Sequence, residues 1–247
     1  MATMQVLKVV AEGLVTSFRY PHFMWQKQPS YELPPPATIY GHLCSALGEW
    51  LDPRGLRFAY HFTYSGKVED MEHIHTGNTI MPFHRELLFQ PRLTLYLNRP
   101  EWEQALRQPR YVVVLGRSQD LFTYTSISRI TVEQADRAYY EHTLLPYDNW
   151  STRVLAGNVA VMPRFVDYNR RREASFGRYL ALSSKIVDDP DTIGKQAMLV
   201  QRYADSPLPW VDPEVRDRHA LARGLVWHSF VEDDYDYQPA ELPDLPA

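Results

Sequence analysis

Cysteine, lysine and closely spaced glycine are all scarce in this sequence, and each shortage excludes something. Cys44 is the one thiol among 247 residues, so an internal disulfide framework cannot form and a reducing compartment is expected. The eleven glycines lie at least seven residues apart. That spacing excludes a G-x-G-x-x-G dinucleotide loop, a Walker phosphate loop and a G-x-S-x-G nucleophile elbow. Apolar runs are short: Tyr111-Val112-Val113-Val114-Leu115 falls far below the ~20 residues a spanning helix needs. The first residues, "MATMQVLKVVAEG", lack the basic, apolar and small-residue parts of a signal peptide. A globular, cytoplasmic protein with no membrane partner is expected, long enough for one large domain or two small ones.

Charge is the next constraint. The net value is −4, which taken whole argues against a nucleic-acid partner. Residues 232–247, "EDDYDYQPAELPDLPA", hold six acids and no base, leaving 26 bases against 24 acids in the remainder. Only five bases are lysines and 21 are arginines. Arginine serves bidentate phosphate contacts and stacking, and equally serves buried ion pairs. A local arginine track is compatible with these numbers, whereas a wholly basic surface is not. The acidic, proline-bearing end is expected to be flexible.

Hydrophobic alternation predicts a long strand over 4–18 with a break at Gly13, then a loop, then a helix over 36–51 stopped by Asp52-Pro53. "LRFAYHFTYSGKV" reads as a strand, "EDMEHIHTGNTIMPFHRE" as a turn-rich hairpin, "LLFQPRLTLYL" as one strand, "PEWEQALRQ" as a short helix and "RYVVVLG" as a buried strand. "FTYTSISRITV" follows as a further strand. Later, "RVLAGNVAVMPRFVDYNRRREASFGRYLALSS" suggests a hairpin with a basic connection and "PEVRDRHALARGLVW" a helix. The first-half order (strand, helix, strand, hairpin, strand, helix, strand) is what a ferredoxin-like α+β unit requires.

Four stretches carry candidate chemistry. His73 and His75 form an H-x-H beside Glu72, with His84 and Glu86 downstream, but no second acidic cluster completes a metal site, so no metal or cofactor is expected. In "VVVLGRSQDL", a strand ends at Gly116, and Arg117 with Ser118 can offer a guanidinium and backbone N–H groups to an anion. The plainer alternative pairs Arg117 with Asp120. "RFVDYNRRREASFGRY" interleaves Arg164, Arg170, Arg171, Arg172 and Arg178 with four aromatic rings, a composition suited to single-stranded RNA or to a solvated loop.

The fourth stretch is "SYELPPPATIYGHLCSALGEW". Residues before proline favour extended angles, so 33–35 should run as polyproline II, with Pro36 in the first helical turn. Ile39, Leu43, Leu47 and Trp50 make a core stripe. Gly41, Ser45 and Gly48 line another face, where helical glycine costs about 1 kcal/mol against alanine unless another backbone approaches closely.

This segment resembles the P-P-P-[ST]-[TIV]-x-G-L-L-x-[AS]-A-L-G signature of the Cas-five family of CRISPR-associated RAMP proteins. "SFRYP", "RELLFQPRLTLYL" and "VVLGRSQDL" agree with the same family in the same order, over about residues 4–125. The resemblance implies a ferredoxin-like (RRM-related) RAMP domain over 1–140 with an inserted β-hairpin thumb at about 66–90. A smaller β-rich region with a late helix would span 141–231, and an acidic tail 232–247. It implies a subunit of the type I Cascade complex, I-B-like, that caps the 5′ handle of the crRNA. Partners would be the backbone subunits, the large subunit and, through the complex, target DNA. Carried over to this sequence, the RNA-binding positions are Arg19, Pro36, Thr38, Tyr40, Gly41, His84, Arg85, Arg117 and Ser118. To these the arginine-rich stretch adds Arg164, Arg170, Arg171 and Arg172. One branch of the family is a metal-independent endoribonuclease using a tyrosine with a Lys-His pair. No histidine here follows a lysine and Tyr40 is displaced from the expected position, so a non-catalytic protein is expected, with crRNA processing as the alternative.

Overall fold

The computed structural model describes residues 1–22, 27–76, 79–147, 157–188 and 208–238. The first strand, β1 (Thr3–Gly13), buries side chains on both faces: Leu7, Val9 and Ala11 enter the main core, while Val6 enters a smaller one behind the sheet. A strand buried on both sides belongs in the middle of a sheet. Two short strands, β2 (Val15–Thr16) and β3 (Phe18–Arg19), follow the break at Gly13, and β4 (Lys27–Gln28) and β5 (Ser30–Tyr31) lead towards the helix.

Helix α1 (Pro36–Leu47) enters from Pro35, whose φ −58° and ψ 148° are polyproline II values. The stiff entrance is also an anchor: the Tyr60 hydroxyl donates to the Pro34 carbonyl at 2.9 Å, and Pro35 accepts the Thr38 and Ile39 N–H groups. The helix ends at Leu47, earlier than the expected residue 51. Gly48 adopts φ 78° and its N–H caps the Cys44 carbonyl at 2.8 Å, a left-handed stop that glycine alone adopts cheaply. Trp50 therefore lies past the helix, its ring against Tyr168. Gly41 is exposed, and a Cβ there would meet nothing within 4 Å, so among the described residues no close backbone compensates it.

Next come β6 (Arg57–Thr63), the hairpin β7 (Gly66–Thr76) with β8 (Thr79–Phe89), and β9 (Arg92–Leu97). "LLFQPRLTLYL" is thus two strands, because Gln90 takes φ 50° and Pro91 has no N–H to continue the ladder. A 3-10 turn at Pro100–Trp102 and helix α2 (Glu103–Arg107) precede β10 (Phe122–Gln134). "RYVVVLG" is a loop with a single bridge, Val114 to Leu121. Its backbone is held instead by Arg110 N–H on Ala46 and Phe122 N–H on Val113, and Tyr111 and Val112 stay exposed.

The remaining strands are β11 (Ala138–Tyr140), β12 (Leu144–Pro146), β13 (Gly157–Asp167), β14 (Glu173–Leu182), β15 (Ile186–Asp188), β16 (Trp210–Arg216), β17 (Ala222–Leu225) and β18 (His228–Ser229). The predicted late helix is the hairpin β16–β17. Asp217 turns it by accepting the His219 and Leu221 N–H groups, a local side-chain turn that competes with helix. β13 and β14 form the predicted basic hairpin, with Arg171 and Arg172 at φ 53° and 62° in its turn.

Nine strands make one sheet in the order β15-β11-β17-β16-β10-β1-β9-β6-β18. Its centre, β10-β1-β9-β6, is antiparallel throughout. β16 crosses behind β1, where fully buried Asp212 receives Lys8 at 2.6 Å and the Tyr96 hydroxyl at 2.7 Å. A second sheet is β12-β14-β13, and β7–β8 projects with β2 and β4 along its base. Phe165 and Tyr179 from the second sheet join α1 and the front of the large sheet in one core.

The acidic segment departs from expectation over residues 232–238. The Tyr235 hydroxyl donates to Asp167 at 2.7 Å, Arg164 pairs with Glu232 at 2.6 Å, and Arg170 pairs with Asp236 at 3.0 Å. Composition signals disorder only while the acids lack partners, and here the β13–β14 arginines supply them. The rest of that segment lies outside the described residues.

Candidate nucleic-acid interface

The LGRS turn contains its own anion. Gly116 at φ 106° lets the chain double back so that the fully buried Asp120 carboxylate accepts the Ser17 N–H at 3.1 Å and the Arg117 N–H at 2.9 Å. The Arg117 guanidinium lies on the same carboxylate, Nη2 at 2.8 Å, and its Nη1 reaches Glu72 at 2.9 Å. Glu72 also takes Arg85 at 2.8 Å, while Arg85 Nη1 donates to Gln28. Both arginine side chains are only about one-sixth exposed. The Arg117–Asp120 pair is the plainer of the two sequence readings, and Arg117 and Arg85 also tie the projecting hairpin to the LGRS turn through the shared Glu72 carboxylate. Ser118, by contrast, is exposed.

The helix entrance also differs from expectation. Pro36 is buried, and Tyr40 packs edge-on against Phe165 and Phe230 with its hydroxyl donating to Leu51 at 2.5 Å. Burial pushes the Tyr40 phenol well above its ordinary range, the wrong direction for a base or nucleophile. At this end Thr38 is part-exposed and Gly41 open. Behind it, buried His42 links α1 to the loop and to β10: one ring nitrogen meets Val114 O at 2.7 Å and the other the Tyr124 hydroxyl at 2.9 Å. Burial lowers its pKa.

Elsewhere on the hairpin, His84 is half-exposed and paired with Glu69 at 2.9 Å. Lys27 and Lys67 pair with Glu69 and Glu86 along the same base. His73 is exposed, the His75 side chain lies outside the described residues, and no cluster of three metal-ligating side chains occurs among the described residues. Arg19 lies exposed on β3.

The β13–β14 hairpin sorts its arginines. Arg164 and Arg170 are turned towards the acidic segment, and Arg170 also lies over the Tyr235 ring. Arg171 and Arg172 stand at the exposed tip, with Arg172 over Tyr168. Of the four interleaved rings, Phe165 and Tyr179 are core, while Tyr168 and Phe176 are exposed.

One grouping was not visible in the sequence. Val161 opposes Arg178 and Pro163 opposes Phe176, and cross-strand partners share a face. Tyr147 donates its N–H to the Arg178 carbonyl and so adds a ring to the same face from beyond β12. Tyr147, Phe176, Arg178, Val159 and Val161 are all exposed there, with the His22 ring 5.9 Å from Phe176. Residues 30 positions apart carry no periodic signal. Only strand pairing brings Tyr147 to Arg178.

No family model and no curated protein matches the chain. Its fold resembles that of a subunit solved as part of a CRISPR RNA-guided surveillance complex. That likeness covers 81% of this chain and 95% of the other, at TM-score 0.51 and 13% identity. A CRISPR protein from Archaeoglobus fulgidus aligns over 74% of this chain and 91% of its own, at TM-score 0.47 and 11% identity. The architecture, mostly β-sheet with few helices, is thus shared with the protein of that surveillance complex. Among the described residues no helix is long and apolar enough to cross a membrane.

Proposed function

We propose that this protein is a non-catalytic, RNA-binding subunit of a type I CRISPR effector. In this reading it is a Cas-five protein of the I-B kind that caps the 5′ handle of the crRNA in the cytoplasm. The strands β10-β1-β9-β6, with α1 after the first and α2 before the last, are read as a ferredoxin-like RAMP unit in strand order 4-1-3-2. The β7–β8 hairpin, inserted between the second and third of those strands, is read as the thumb. Backbone subunits and the large subunit would be its protein partners, and target DNA would be met through the assembled complex.

The observation that carries RNA binding is the second sheet's open face. Arg178 stands beside the exposed Phe176 and Tyr147, and Arg171 and Arg172 extend the positive charge at the hairpin tip. Among the described residues none of these three arginines takes part in an ion pair, unlike Arg85, Arg117, Arg164 and Arg170. Rings that stack on bases beside guanidinium groups that neutralise phosphates are the working parts of single-strand binding.

The test is to purify the tagged chain with its co-expressed partners and identify the bound RNA. A crRNA population sharing one 5′ end is expected, and the chain alone should leave repeat RNA uncut in metal-free buffer. Paired Phe176→Ala/Arg178→Ala substitutions should weaken RNA retention about tenfold or more, counting ~1–3 kcal/mol per lost stack. Bound RNA with no common end, or full retention by the double variant, would overturn the reading.

A further inference from the structure

The large sheet has an open edge in its middle. β10 is 13 residues long, and β16 pairs with it only at Glu133 and Gln134. The direction of its backbone groups follows from three bonds. Gln134 N–H points inward to Ala2, Ala135 N–H points outward to Pro209, and the Ile127 carbonyl accepts Arg107 from outside. Between Ile127 and Ala135 the odd-numbered residues therefore face outward, so Ile127, Arg129 and Thr131 turn backbone groups to an edge that no strand of the described chain covers, the Ile127 carbonyl being held by the Arg107 side chain. The segment "FTYTSISRITV" has high strand propensity and contains neither lysine nor proline, the usual guards of an exposed edge.

A groove lies on each face of the sheet at the Thr123–Ile127 end of this edge, and the two share Thr123 and Thr125. One, of about 630 Å³, is lined by Glu12, Leu14, Arg92 and Leu121. The other, of about 370 Å³, runs under Arg107, Pro109 and Val113 beside Tyr124. Leu14, Leu121, Tyr111 and Val112 are exposed around them. An added strand sends alternate side chains to opposite faces, so these grooves are placed to receive both sets.

The geometry points to β-augmentation: the outer edge of β10 takes up an extended, acid-bearing segment of a partner protein as an additional strand. Row complementarity selects a polypeptide backbone, because only a strand offers N–H and C=O groups at matching intervals. Charge selects the acids. Arg107 and Arg129 are exposed along this edge, and they share the single carboxylate of Glu103. The same charges disfavour a second copy, because edge-to-edge pairing about a two-fold axis would bring both sets of arginines together. This surface lies on a different sheet from the Arg178 face and holds whether or not the chain binds RNA.

The experiment selects a displayed library of random short peptides against the full chain, with Thr131→Pro as counter-target. Proline removes one outward N–H and leaves the β1 ladder intact. Retained secondary structure and urea midpoint certify the fold, and Arg129→Glu provides a second variant needing no backbone change. Recovered peptides are expected to lack proline, to carry Asp or Glu at alternate positions, and to lose about tenfold in affinity on either variant. Equal enrichment on Thr131→Pro, basic peptides, or no enrichment over background would each overturn the proposal. So would sedimentation showing that the chain pairs with itself through an edge that Thr131→Pro abolishes.

Discussion

Arg117 offers the sharpest test, because a phosphate contact and a structural ion pair predict opposite outcomes there. In the structure its guanidinium is divided between Asp120, by two nitrogens at 2.8–3.1 Å, and Glu72 at 2.9 Å. Asp120 is fully buried. Arg117→Met keeps the apolar stem but strips the carboxylate of its counter-charge, leaving only N–H and hydroxyl donors. Breaking a buried pair on one side costs about 3–5 kcal/mol. Since Arg117 is partly exposed, the lower end, ~3 kcal/mol, is expected. Asp120→Asn should cost a similar amount, and the double variant less than the sum by about 2 kcal/mol, the signature of direct coupling. Urea unfolding of the four proteins at pH 7 measures the cycle. The reasoning is refuted if Arg117→Met unfolds at the parental midpoint while losing RNA, because the side chain would then serve a ligand and not the turn.

Two further outcomes follow from the same geometry. A Cβ at Gly116 would lie 2.3 Å from Thr16 Oγ1 and 2.9 Å from the Ser17 carbonyl, at a φ of 106°, so Gly116→Ala should cost roughly 3 kcal/mol or more; an unchanged melting temperature would contradict this. Burial holds the His228 imidazole down to about 4, against an ordinary value of 6.5. The folded chain therefore refuses a proton that the unfolded chain accepts, and stability should fall as pH drops from ~6.5 towards ~4, by up to about 3 kcal/mol. Unfolding free energies measured across that window should fall less steeply in His228→Asn, the remaining slope coming from His42 and His61, which burial also lowers, and an equally steep profile in the variant would rule His228 out as a source.

Local chemistry decided what could be read in advance. The helix start was legible because three prolines and an apolar stripe act within a few residues, and β1, β6 and the β13–β14 hairpin were legible because alternation persists over many positions. The stop at Gly48 was missed because Asp52-Pro53 is the louder signal, although a left-handed glycine ends a helix by itself. "RYVVVLG" has the composition of a strand yet no neighbour to pair with beyond Leu121. "PEVRDRHALARGLVW" has helical composition, but the Asp217 carboxylate binds its own downstream N–H groups and folds the segment back. The interface was legible only as a list of residue types. Which arginines meet carboxylates depends on contacts such as Arg117 to Glu72, 45 positions apart.

That sorting bears on the RNA surface proposed for a chain of net charge −4. An arginine paired at 2.6–3.0 Å with a carboxylate offers an approaching phosphate little attraction, because its field is already cancelled at short range. Glu72 and Asp120 neutralise Arg85 and Arg117 within the fold, and Glu232 and Asp236 neutralise Arg164 and Arg170 from the acidic segment. The second group differs from the first in exposure. Glu232 and Asp236 are each about three-quarters exposed, whereas Asp120 is fully buried and Glu72 only about one-quarter exposed. Exposed pairs contribute about 0–1 kcal/mol each and weaken with salt. Under the proposed function, a phosphate chain arriving over Tyr168, Phe176 and Arg178 would therefore displace the acidic segment from Arg164 and Arg170 at small cost, while Arg85 and Arg117 stay bound to the turn. In the proposed reading Arg164 and Arg170, whose carboxylate partners are themselves exposed, join Arg171, Arg172 and Arg178 in binding, and Arg85 and Arg117 do not.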